Sequence, residues 1–170
     1  MKVFLTVVLV FFVAAVQVTV FGQWRPFGVM PNLMLILVIC LSLWGSASIA
    51  LAGTILGGLT LDLASGADFG LRTAFYTVVA LAVIAARQLG LHSDSMLSAV
   101  VLVMMSTLLF DLAVLSTVPK VKIDWSYVVS KTAWQIAVNS SIMLMVFGGR
   151  VLLTDRRTRI NAELKRKSWL

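Results

Sequence analysis

The stretch Gly57-Gly-Leu-Thr-Leu-Asp62-Leu-Ala-Ser65-Gly66-Ala-Asp-Phe-Gly70-Leu-Arg72 decides how the chain is read. It closes one strongly apolar segment, turns at Ser65-Gly66 and opens the next. Asp62 lies inside hydrophobic sequence, and Arg72 lies just inside the following apolar run. In a bilayer each such charge costs about 2.5–3.5 kcal/mol on insertion scales unless it is paired or hydrated. The rest of the chain must therefore supply partners for both.

Working outward, the setting is lipid. Of 170 residues, 60% are hydrophobic and only 12% are charged, whereas a soluble domain carries about 25% charged residues. Apolar runs of about 20 residues, the length that spans a bilayer, alternate with short polar turns. This predicts one all-α polytopic membrane domain over residues 1–153, followed by a basic tail at 154–170. Its six transmembrane helices are expected near 3–21, 27–44, 46–63, 69–86, 95–118 and 125–153. The first run exceeds the about 7–15 apolar residues of a secretory signal and ends without a small-residue cleavage site, so it is read as a retained helix. One cysteine, Cys40, and one histidine, His92, exclude a disulfide framework and argue against a protein-only zinc site. Cys40 is read as a small apolar side chain and His92 as a solvated loop residue.

Each helix then contributes something to the central stretch. Gly22 to Gly28 is a turn with an interfacial Trp24–Arg25 pair, and Pro31 is placed in the first turns of helix 2. Gly45–Ser46 makes a tight hairpin into helix 3. There Ser46, Ala50, Thr54, Gly58 and Asp62 recur every four residues on one face, with Gly53 and Gly57 beside them. Small residues let membrane helices approach closely, so helix 3 is expected to be the most enclosed. Helix 5 repeats the pattern with Ser95, Ala99, Thr107 and Asp111, while helix 6 carries a polar stripe of Lys131, Gln135 and Asn139.

Six helices put both termini on one side. That side holds Lys2, Arg87, Arg150 and the tail cations Arg156, Arg157, Arg159, Lys165, Arg166 and Lys167; the other holds Arg25, Arg72, Lys120, Lys122 and Lys131. The excess predicts cytoplasmic termini. It also sets Asp62, Arg72, Asp111 and Lys131, from four helices, at similar depth near the outer end.

Three readings of that cluster stand side by side. Mutual neutralisation, a clasp that fixes helix packing, is the commonest fate of inward-facing membrane charges. A cavity for a small solute is the second. An aspartyl dyad sharing a proton is the third, and the neighbouring cations oppose it. No Ser-His-Asp set, P-loop or H-E-x-x-H is present, so neither an enzyme nor a cofactor is expected.

The same residues carry a family likeness. Pro31-Asn32 followed by Leu-Met-Leu-Ile-Leu, then Leu-Asp62-Leu-Ala-Ser65-Gly66 with Gly70 and Arg72, resembles the rod shape-determining protein MreD family. Leu-Leu-Phe-Asp111 fits the same pattern. The resemblance implies a non-enzymatic bacterial inner-membrane scaffold of the elongation complex that organises lateral peptidoglycan synthesis and cell shape. Its implied partners are MreC, a bitopic membrane protein, and beyond it RodA, a class B penicillin-binding protein and MreB filaments. Membrane lipids are the other expected contact, and nucleic acid is not. The family's fold is similar to that of the substrate-binding subunits of energy-coupling-factor transporters, which keeps a small-solute-binding membrane subunit as the alternative.

Overall fold

A computed structural model describes residues 2–65, 69–90, 95–117 and 124–167, with side chains described for 3–64, 69–90, 95–116 and 124–154. His92, Lys120, Lys122, Gly66 and the side chains of Ser65 and the tail cations lie outside that set. The described residues form six α-helices: α1 (Lys2–Gln23), α2 (Leu33–Trp44), α3 (Ala47–Ser65), α4 (Leu71–Gln88), α5 (Met96–Thr117) and α6 (Trp125–Lys167). Four of them, α1, α3, α5 and α6, are long and apolar enough to cross a membrane, as befits a multi-pass membrane protein. The expectation of six such segments is narrowed on that measure. At 12 residues, α2 is about 18 Å long, well short of a hydrocarbon core of about 30 Å. α4 is bracketed by Arg72 and Arg87.

α2 starts later than its sequence predicts. Pro26–Gly28 forms a single 3-10 turn with Phe27 and Gly28 at positive φ, 56° and 76°. Pro31 bars the preceding residue from helical geometry and itself lies before the helix rather than in its first turns. Asn32 becomes the N-cap, its side chain accepting from Leu35 N. The gain at the other end of the chain is larger. α6 runs unbroken for 43 residues, about 65 Å, so the basic tail continues the last helix through Lys167.

The centre of the bundle is α2, not α3. α2 packs against each of the other five helices, whereas α3 packs on α1, α2 and α4. The physical reason lies in composition. Leu33–Trp44 is apolar all round, and a helix without a polar face must be enclosed. Met34, Leu35, Ile36, Val38, Ile39, Ser42 and Leu43 are buried along it. α4 lays a narrower stripe against this core, Tyr76, Val79, Ala80 and Val83, at helical spacing. By contrast, Ile55, Leu56 and Leu63 of α3 and most large apolar side chains of α1 face outward.

The small face of α3 explains how closely its neighbours approach. A Cβ on Gly58 would stand 2.6 Å from Thr73 Cα, so glycine there lets α3 and α4 touch backbone to backbone. Gly53 faces Leu41 and Thr6, and Gly57 faces Met34 and Val10, so these two serve the α1 and α2 contacts. Ala50 and Thr54 are buried with them. Ser46 departs from the expected face: it precedes α3 and is exposed, because the chain is still turning out of α2 there.

Candidate functional site: the end of the bundle where α2 begins

Asp62 is the tertiary cap of α4. Its Oδ2 accepts from Gly70 N at 3.1 Å, Thr73 N at 3.1 Å and the Thr73 hydroxyl at 2.7 Å, and its Oδ1 accepts from Arg72 N at 3.3 Å. The first N–H groups of a helix lack intrahelical partners, and a carboxylate beside them also meets the positive end of the helix dipole. Gly70, at φ 93°, has the left-handed backbone that turns the chain into this position. The clasp is reciprocal, since Arg72 Nη1 donates to Leu61 O at 3.2 Å near the end of α3. Asp62 is 2% exposed.

The buried start of α2 is satisfied by three helices. Met34 N donates to Gln17 Oε1 of α1 at 2.8 Å, and Asn32 N donates to Asn139 Oδ1 of α6 at 2.9 Å. Asn139 Nδ2 continues to Thr107 of α5 at 3.0 Å, and Tyr76 of α4 donates its hydroxyl to Asn32 Oδ1 at 2.8 Å. Five helices thus meet through one polar network around the N-cap of the central helix. The backbone N–H groups of Asn32, Met34 and Leu35 each find a side-chain acceptor, as membrane depth demands.

Above this network lies an open cavity of about 260 Å³. Its floor is Asn32, Tyr76 and Gln17; its walls carry Arg25, Arg72, Lys131 and Gln135, and Asp111 completes it from α5. Among the described lining residues, three cations against one carboxylate leave a net positive charge. Asp111 meets Thr132 and the charge of Lys131, while its Oδ2 is buried without a hydrogen-bond donor among the described residues. Gln135 is only 7% exposed, and no described residue bonds its carboxamide. Phe27 stacks on Trp134 at 4.6 Å beside the mouth, in keeping with the aromatic residues that gather at bilayer interfaces.

The four charges grouped by the sequence are therefore divided. Arg72, Asp111 and Lys131 line one cavity; Asp62 turns from it to the α3–α4 joint. Gln17, Tyr76 and Arg25 were not among the expected site residues. Gln17 had a visible signal, being the one strongly polar residue of an otherwise apolar run. Tyr76 had none, because an aromatic inside an apolar helix reads as core.

The opposite end of the bundle is built differently. Arg87 Nη1 donates to Ser42 O, Leu43 O and Gly45 O at 3.1, 3.1 and 2.9 Å, capping the C-terminus of α2 with a cation. Arg150 lies 4.4 Å over the Trp44 ring. Comparison with family models, with curated proteins and with solved structures returns no match for this chain.

Proposed function

We propose that the chain is a non-enzymatic integral membrane scaffold of the MreD type, docking a bitopic partner such as MreC within the bacterial elongation complex. In that reading all six helices lie in the inner membrane, α2 and α4 held among the four longer ones, with both termini cytoplasmic. One observation carries it: four of the residues on which the resemblance rests are spent on helix ends. Asn32 caps α2, while Asp62, Gly70 and Arg72 lock α3 to α4. Such roles hold a bundle in shape. The apolar side chains that α1, α5 and α6 turn outward offer surfaces to lipid and to a partner helix alike.

Purification of the full chain from its own membranes in mild detergent tests this. A stoichiometric single-span protein is the expected companion, and Arg72→Ala is expected to impair rod shape in cells. Recovery with an ATPase module or a vitamin-like solute, without any single-span protein, would overturn the scaffold reading. The second reading, a small-solute-binding subunit similar in fold to those of energy-coupling-factor transporters, draws its support from the outer cavity.

A further inference from the structure

We propose that the outer cavity binds the phosphate ester of a small headgroup, one that also carries a hydrogen-bond donor. The inference goes beyond the scaffold reading and does not depend on it. Three independent features point the same way. Arg25, Arg72 and Lys131 come from the α1–α2 turn, α4 and α6 to one opening, and among the described lining residues only Asp111 opposes them. Two guanidinium groups and an ammonium suit the several oxygens of a phosphate better than a single carboxylate. The N-terminus of α2 ends at the floor with Asn32, adding the positive end of a helix dipole as discontinuous membrane helices do at anion sites. Gln135, more than nine-tenths buried, reaches the cavity with a carboxamide that no described residue engages.

The remaining polar group selects the headgroup. Asp111 Oδ2 is buried and has no donor among the described residues. An ionised phosphate cannot supply one, whereas a headgroup hydroxyl or ammonium can. A volume of about 260 Å³ is just under the roughly 300–1,000 Å³ of drug-sized ligand sites. It suits a glycerol or ethanolamine phosphate. Such chemistry has two sources, the head of a bilayer phospholipid or a free phosphate monoester.

The full chain in detergent distinguishes them. Native mass spectrometry would follow retention of phosphatidylglycerol, phosphatidylmethanol, which has no donor, and diacylglycerol, which has no phosphate. Thermal shift would follow glycerol 3-phosphate. Phosphatidylglycerol is expected to be retained best and diacylglycerol least. The Arg25→Gln/Lys131→Gln variant should retain phosphatidylglycerol about tenfold less, since charge-assisted hydrogen bonds are lost. Both side chains are exposed, so this variant keeps its helicity. Gln135→Leu should weaken retention several-fold without changing net charge, which separates a built site from general attraction between cations and lipid. A glycerol 3-phosphate shift that vanishes in these variants, without phosphatidylglycerol adducts, identifies the soluble source. Adducts that persist equally in both variants, or the absence of any binding, would overturn the site. Equal retention of phosphatidylglycerol and phosphatidylmethanol would overturn the role given to Asp111.

Discussion

Asp62 and Asp111 end two very similar runs, Gly-Leu-Thr-Leu-Asp62 and Thr-Leu-Leu-Phe-Asp111, yet their surroundings have little in common. Around Asp62 the next helix begins within ten residues, and its first backbone donors converge on the carboxylate. Around Asp111 the next helix begins at Trp125, and what meets the carboxylate is side chain, Thr132 and Lys131, with one oxygen left over. A buried charge closed by backbone is part of the fold. A half-buried carboxylate closed incompletely beside a polar cavity is the one we assign to a ligand. The two differ in what surrounds them, not in their own chemistry.

The comparison can be broken most directly at Asp62. Asp62→Leu should lower stability in detergent by about 3 kcal/mol or more, because several buried donors lose their acceptor together. A melting temperature equal to wild type would remove the distinction. Gly58→Ala should come next, at about 1–3 kcal/mol, since the new methyl meets Thr73 backbone that cannot yield. Gly57→Ala sharpens that test: its methyl meets the end of Met34, a flexible side chain, and its cost should be clearly smaller. Asn32→Ala should cost about 1 kcal/mol as a lost N-cap, or somewhat more because Tyr76 loses its acceptor as well. Asp111→Asn should change thermal stability least of the set. A loss as large as that of Asp62→Leu would show that both carboxylates hold the fold.

Much of the bundle was legible because lipid restricts what a chain can do. A run of apolar residues in which every backbone polar group must be satisfied internally has to be helical, so the number and order of helices followed from hydropathy and turn residues. The close face of α3 was legible as well, since Gly58 and Gly53 have few uses inside a membrane helix other than close approach. Boundaries governed by proline and glycine were less so. Pro31 is compatible with a first helical turn and with a position before the N-cap, and only the partners of Asn32 separate the two. Enclosure was misplaced because small residues mark contact with a neighbour, whereas burial on all sides is marked by the absence of any polar face, as in Leu33–Trp44. The cavity was half legible. Its charges stand out in apolar sequence, but Tyr76 and the pairing of Asn32 with Asn139, 107 residues apart, depend on packing.

What the sequence determined by itself is therefore the medium and the elements: a multi-pass helical protein whose few charges gather toward the ends of its apolar runs. Those follow from local chemistry, the cost of exposing backbone and charge to hydrocarbon. What only the tertiary structure decided is the partner of each polar group. Asp62 faces a backbone and Asp111 a cavity because the rotation and depth of six packed helices select among partners of similar local energy, and that selection is made by contacts between residues far apart in the chain.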